Sequence, residues 1–265
     1  MSSPVRTYLR ELSLLLVPQS CPGCGRYDTP LCARCAALFS TMPRRADHLA
    51  PRLVLTPEGG DSGVTAHHAP RTRLPVWACA PYQGPVRDVI TAWKEHGRGD
   101  LTNPLVALAG AAATQLVQQA ADELSVSDGA TVVVPVPSTS TATRRRGFSP
   151  SAELARVVAQ AHREVGRDAV VIPALSTAKK STQKTLDARD RFANLHGAVR
   201  LIHRHRDVIA AAQRIILVDD VVTTGATLAH GLSALAPSTG TFVAGFALAI
   251  TPGAKSRQEH SGNTT

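Results

Sequence analysis

Aromatic side chains are scarce in this chain: Phe, Trp and Tyr together make up 4% of 265 residues. Surfaces that hold single-stranded nucleic acid by stacking depend on such rings, so the composition argues against tight binding of that kind. Long apolar runs are missing as well. The apolar stretch at 12–17 is interrupted by Ser13 and abuts Glu11, which makes it too short for a bilayer span or a signal sequence. A cytoplasmic protein with no membrane partner is the expectation. Acidic residues are outnumbered, 20 against 29 basic ones, giving a net charge of +9. That excess suits an anionic partner such as a polyphosphate or a nucleic acid. Cysteines are few, five in all, and in a cytosolic chain they point to metal or thiol chemistry, since disulfides are rare there.

What is present is a globular composition, 43% apolar, long enough for one large domain or one domain with an appendage. Four of the cysteines form two matched pairs, Cys21-Pro-Gly-Cys24 and Cys32-Ala-Arg-Cys35, with seven residues between them. Each pair can present two thiolates from a tight turn, and four thiolates suit tetrahedral Zn²⁺ in a closed structural site. A redox dithiol is the alternative, although no strand–helix context for thioredoxin-like chemistry surrounds the pairs. Cys79, inside the apolar stretch 76–80, is expected in the core.

These features divide the chain into an N-terminal zinc-binding module (1–42) with a short helix over 5–16, a partly disordered linker (43–75), a main domain (76–251) and a disordered tail (252–265). The linker is rich in Pro, Gly, Arg and His, and its His67-His68 is read as an incidental pair. In the main domain, strands are expected at 76–82, 131–136, 169–172, 214–218 and 241–250, the last bent at Gly245. Helices are expected at 86–93, 104–124, 149–165 and 226–235, with Ser149 as N-cap and Pro150 in the first turn. The alternation predicts an α/β fold, a mostly parallel sheet flanked by helices.

The most informative string is IILVDDVVTTGATL, residues 215–228. Four apolar residues, the pattern of a strand buried on both faces, lead to Asp219 and Asp220. Then comes a small-residue turn, Thr223-Thr224-Gly225-Ala226-Thr227, opening onto a helix. Ligands of open α/β sheets bind at the carboxyl ends of strands, and helix N-termini bind phosphate through free N–H groups. Either half alone is common as bare scaffold. Joined without a gap they read as a site for a phosphorylated sugar, with two carboxylates placed for hydroxyls or a metal.

Two further segments carry anion-binding chemistry. After the strand at 131–136 comes a donor-rich loop ending in Arg144-Arg145-Arg146-Gly147-Phe148, suited to a second anionic group or else simply solvated. The segment running from Lys179-Lys180 to Arg189 and Arg191 is basic and aperiodic. It is either a mobile cover over a phosphate-rich site or a surface excursion.

The string at 215–228 resembles the phosphoribosyl pyrophosphate (PRPP) motif of type I phosphoribosyltransferases. The resemblance implies that Asp219 and Asp220, the residues central to catalysis, hold the ribose hydroxyls, and that Thr223, Thr224, Gly225, Ala226 and Thr227 hold the 5-phosphate. Over residues 21–228 the chain resembles the narrower ComF family, a competence-associated bacterial group. The matching features are CPGC…CARC; Tyr82, Gly84-Pro85-Val86-Arg87 and Lys94; Pro135-Val136-Pro137; Arg144, Arg146-Gly147-Phe148; Gln183, Leu186, Arg191 and Asn194; and the 215–228 string. It departs where Ser149-Pro150 stands in place of an Asn-Gln pair common after Arg-Gly-Phe, and in a loop at 138–143 poor in basic residues.

The resemblance implies a type I phosphoribosyltransferase-like domain that binds PRPP with Mg²⁺ and transfers its phosphoribosyl group to a nitrogen base. Arg144, Arg145, Arg146, Gly147, Lys179, Lys180 and Arg191 would then lie on the pyrophosphate side, and Cys21, Cys24, Cys32 and Cys35 would hold Zn²⁺. Two other roles stay open: a non-catalytic PRPP or nucleotide sensor, and an accessory protein in single-stranded DNA processing during uptake. Single-stranded DNA, a DNA-uptake helicase and a second copy of the chain are the macromolecular partners this implies.

Overall fold

The computed structural model describes residues 19–55, 72–119, 129–138, 143, 146–177, 199–238 and 240–253. The expected helix at 5–16 and His67-His68 lie outside them. The elements run α1 (Ala33–Ala36), β1 (Arg44–Arg45), β2 (Val54–Leu55), β3 (Thr72–Arg73), β4 (Val76–Pro81), α2 (Gly84–Glu95) and α3 (Thr102–Gln119). They continue with β5 (Thr131–Pro135), α4 (Pro150–Glu164), β6 (Ala169–Val171), β7 (Leu175–Thr177) and β8 (Val199–Leu201). The last are α5 (Arg206–Ala211), β9 (Arg214–Val222), α6 (Ala226–Leu235) and β10 (Phe242–Ile250). No helix among the described residues is long and apolar enough to cross a membrane.

The fold is mixed α/β, built on a six-stranded sheet in the order β1-β4-β10-β9-β5-β6. Every pairing is parallel except that of β1 with β4. Side chains alternate across a strand, and β9 shows why its apolar run is unbroken. Ile216 and Val218 enter one core with Trp93 of α2, Leu105 of α3 and Leu154 of α4. Ile215 and Leu217 enter a second core with Leu53, Ile209 of α5 and Leu228 of α6. Both faces are covered, so no position in the run can be polar.

The helices follow from spacing. In α2 the residues Val86, Val89, Ile90 and Trp93 recur at helical intervals and are buried, with Pro85 in the first turn. Small residues line the contact of α3 with α4: Ala109, Ala112 and Ala113 are buried, and a Cβ on Gly110 would stand 3.5 Å from Val157 Cβ. Ser149 takes an extended backbone at the start of α4 but caps no helical N–H. Its hydroxyl lies instead 3.2 Å from that of Ser151.

Chain order and spatial order create a switch point. From β5 the chain steps outward to β6, whereas from β9 it steps the opposite way to β10. The crevice between diverging connections therefore lies at the carboxyl ends of β5 and β9, the place where open α/β sheets bind ligands.

Three expectations need correction. The strand expected at 214–218 extends to Val222, so Asp219 and Asp220 lie within β9. Pairing with β10 continues as far as Ile250↔Val222 and keeps the strand extended. At Gly245, where a bend was expected, β10 runs on without a break, paired with Val76 and Leu217. Residues 43–55 are not linker. Arg44 and Arg45 pair with β4, the Ala46 N–H donates to Val76 O at 2.8 Å, and Ala50 and Leu53 are fully buried. Residues 56–71 and 254–265 lie outside the described residues.

Candidate functional site

β9 is held unevenly at its carboxyl end. On the β5 side the register stops at Pro135↔Val218, with one further bond from Val136 N–H to Val218 O at 2.9 Å. Pro137 has no N–H to carry the ladder on. On the β10 side pairing continues to Val222. Asp219 to Val222 therefore border the crevice on one flank while their backbone stays rigid on the other.

Alternation sends Asp220 to the face of Ile216 and Val218, toward α2. There Lys94 Nζ donates to Asp220 Oδ1 at 2.9 Å. The Asp220 side chain is 9% exposed and that of Lys94 26%. Burial alone would lower the Lys94 ammonium, but the Asp220 charge and hydrogen bond outweigh it, and the net shift is upward. Asp219 Oδ1 accepts from the Asp220 N–H at 2.9 Å. Burial pushes the Asp219 carboxyl well above the usual carboxylate range and the adjacent Asp220 adds to this, while Lys94 opposes it. The pair thus holds one carboxyl inclined to keep its proton beside one in an ion pair. Carboxyl oxygens so arranged can receive the hydroxyls of a sugar.

Three residues after Asp220 the turn begins. Thr223, Thr224 and Thr227 are exposed, and Ala226 opens α6. Gly225 is the N-cap with φ +81. A Cβ there would fall 2.5 Å from Leu53 Cγ and 3.0 Å from Ala50 Cβ, so both backbone conformation and space require glycine. Thr224 O accepts from Arg52 N–H at 2.9 Å. The segment 50–53 thus braces the turn from beneath; Thr224 Oγ1 accepts from the Ala226 N–H at 3.3 Å, and the exposed Thr223 and Thr227 stand at a helix start of the kind that receives an anion.

Arg146 has one of its donors engaged by the fold. Its Nη1 donates to Lys94 O at 2.7 Å, and its buried Nε has no partner among the described residues. Phe148 stacks on Trp93 with centroids 5.8 Å apart. Gly147, at φ +77, donates its N–H to Thr143 O at 2.8 Å. This part of the arginine-rich segment is therefore tied to α2. Arg144, Arg145, Lys179, Lys180 and Arg191 lie outside the described residues. The last three belong to the connection between β7 and β8, whose ends are joined by the pair Thr177↔Val199.

The structure adds two things that residue-level reading did not single out as site components. One is Lys94: a lysine in the last turn of a helix is ordinary because it suits the dipole, and only the fold brings it to Asp220. The other is a cleft of about 480 Å³ at the carboxyl ends of β4 and β10, lined by residues including Leu38, Arg44, His48, Leu49, Pro81 and Ile250.

The four cysteines converge. The Sγ atoms of Cys21, Cys24, Cys32 and Cys35 lie within 4.8 Å of one another, and those of Cys24 and Cys32 are 3.4 Å apart. Tetrahedral Zn²⁺ with bonds of about 2.3 Å would set sulfur separations near 3.8 Å, so the cluster is compatible with a structural zinc site. A turn closed by Cys24 N–H and Gly25 N–H on Cys21 O presents the first pair, and Cys32 caps α1 to present the second. The Cys35 backbone N–H helps draw the Cys32 thiol down to about 7, whereas burial pushes Cys35 up. A Cβ on Gly23 would lie 2.8 Å from Cys35 Sγ and 3.1 Å from Val89 Cγ2, which shows how closely the knuckle sits on α2. Cys79 is a core residue, 4% exposed, with burial pushing its thiol to about 12.

No family model matches the chain, and no curated protein matches it.

Proposed function

We propose that the chain binds PRPP with Mg²⁺ at the β5/β9 crevice and transfers the phosphoribosyl group to a nitrogen base, with a type I phosphoribosyltransferase-like domain of the ComF kind. The observation that carries this reading is the acid pair at the open end of β9, three residues ahead of a turn that only glycine can make. Asp219 and Asp220 would receive the ribose hydroxyls, and Thr223 to Thr227 the 5-phosphate. The pyrophosphate would lie toward Arg144, Arg145, Arg146, Gly147, Lys179, Lys180 and Arg191. Lys94 already balances the charge of Asp220, so Mg²⁺ fits best on the pyrophosphate oxygens, where it would neutralise the leaving group.

In the transfer, a ring nitrogen of the base attacks C1 of the ribose. The C1–O bond to pyrophosphate breaks, its electron pair leaves with pyrophosphate, and the proton on that nitrogen passes to the departing pyrophosphate or to water. The chain's contribution is positioning and charge stabilisation. The cleft beside Pro81 and Ile250 offers room for a planar acceptor. Ile250 pairs with Val222, two residues past Asp220, so strand spacings put it about 8 Å from the acid pair. The four-thiol knuckle, packed against Pro85 and Val89, would steady the helix that supplies Lys94.

The test is a titration of PRPP with Mg²⁺ into the wild-type chain and into Asp219→Asn/Asp220→Asn, followed by a screen of bases for pyrophosphate release. Equal binding by the two proteins overturns the proposal. Tight binding without release for any base supports a sensor. A single-stranded DNA affinity that falls steeply with salt, in a chain that ignores PRPP, supports the DNA-processing role.

A further inference from the structure

Lys94 has no freedom to be an incidental surface lysine. The preceding residue, Trp93, is fully buried, donates from Nε1 to Thr102 Oγ1 at 2.9 Å and stacks on Phe148. The Lys94 carbonyl is held by Arg146 Nη1 at 2.7 Å. With its backbone pinned from two directions, the side chain reaches across to β9 and sets Nζ 2.9 Å from Asp220 Oδ1. That oxygen also accepts the Val221 N–H at 2.8 Å. One of the two carboxylate oxygens of Asp220 therefore already has an ammonium and a backbone donor on it.

We propose that Lys94 is a built-in counter-ion that closes the Asp219–Asp220 pair to free divalent cations and leaves it to recognise hydroxyl groups, so that metal enters the site only when carried by an anionic ligand. The last clause rests on the function proposed above; the exclusion of free metal does not. Two neighbouring carboxylates are by themselves an attractive place for a hard cation with oxygen ligands. A fixed positive charge at hydrogen-bond distance opposes a second, doubly charged one, and the low exposure of Asp220 keeps water from screening the two. A neutral sugar hydroxyl meets no such opposition.

The experiment uses the full chain loaded with zinc and titrates Mn²⁺ with no sugar phosphate present, following water-proton relaxation. Wild type is expected to bind no Mn²⁺ at the acid pair. Lys94→Met is expected to gain one site at least tenfold tighter than anything in wild type, and that site should vanish in Lys94→Met/Asp220→Asn. Lys94→Gln, which keeps a donor without the charge, should show the same gain and serves where Lys94→Met does not fold. Wild-type binding that Asp220→Asn removes overturns the proposal. So does a folded Lys94 variant with no gain, or a gain that survives Asp220→Asn. Because no arm contains PRPP, a chain that proves not to bind PRPP leaves the outcome on Lys94 readable.

Discussion

Lys94 and Asp220 are 126 residues apart in the chain and 2.9 Å apart in space. One closes the helix that leads out of the first long strand of the sheet, and the other lies in the strand that borders the crevice. Their ion pair fastens α2 to β9 at the level of the candidate site. A double-mutant cycle with Lys94→Met and Asp220→Asn should give a coupling of about 1 kcal/mol at neutral pH, reduced from a fully buried pair because Lys94 is partly exposed. The folded Lys94 value is raised, so the contribution is complete below the ordinary lysine range and lost as pH rises through the raised value. Urea denaturation at neutral and strongly alkaline pH checks this; coupling that persists unchanged into alkali contradicts it.

Asp219 should cost the fold stability in the range where it is asked to ionise. Its value is raised by burial and by Asp220, so the folded state holds its proton longer than the unfolded chain. Stability then falls as pH rises above the ordinary value of 3.8, toward the raised one. Asp219→Asn removes that dependence and should be more stable than wild type by roughly 1 kcal/mol at pH 7, with little difference near pH 4. Thermal melts of both proteins across this range decide it.

His162 should produce a fall of the opposite sign. It is 2% exposed on α4, beside a small apolar cavity lined by Trp77, Val158 and Phe246 among others. Burial, then Arg214 and Arg167, lower it from 6.5 to about 4. Between these values the unfolded chain takes up a proton that the folded one refuses, so stability drops as pH falls through that window, by up to about 3 kcal/mol. His162→Leu should flatten this part of the curve while leaving the neutral-pH fold intact by circular dichroism.

Gly225→Ala should distort the turn and destabilise the protein by roughly 1–3 kcal/mol, through the positive φ and the contact with Leu53. In a Leu53→Ala background the added penalty should shrink, because the nearest crowding atoms are gone and only the positive φ and the Ala50 Cβ at 3.0 Å remain. Equal penalties in both backgrounds would show that crowding plays no part.

Removing metal from the four-thiol knuckle should be felt in α2. The purified chain is expected to hold one zinc ion, lost in Cys21→Ser or Cys32→Ser. Chelation should lower the melting temperature by several degrees and loosen the packing on Pro85 and Val89, read as faster amide exchange over 84–95. A metal-free chain with unchanged exchange there would argue against this coupling.

Much of the architecture was legible because periodicity reports burial directly. The run at 215–218 has the pattern of a strand covered on both faces, and the helices at Gly84–Glu95 and Pro150–Glu164 announced themselves by spacing and by proline at their starts. Other elements were illegible for physical reasons. The three-residue strands Leu175–Thr177 and Val199–Leu201 are too short for a period to register. Residues 43–55 look like linker because they open a stretch to 75 rich in Pro, Gly, Arg and His, yet Ala50 and Leu53 are buried by contacts with a turn more than 170 positions later, which no local pattern encodes. Arg146 reads as an anion binder from its neighbours, and only the approach of Lys94 O gives one of its donors a partner.

By itself, then, the sequence determined which residue types could do chemistry: two adjacent acids, a glycine-containing turn, two matched cysteine pairs. Side-chain chemistry and short-range spacing are local properties, carried by consecutive residues. Only the tertiary structure decided how those pieces meet. It stopped β5 at Pro135 so that the acids border a crevice, placed Leu53 beneath Gly225, brought four thiols within 4.8 Å and set the Lys94 ammonium on Asp220. Each of these depends on strand order and helix packing, which bring distant segments together for the sake of burying the two cores.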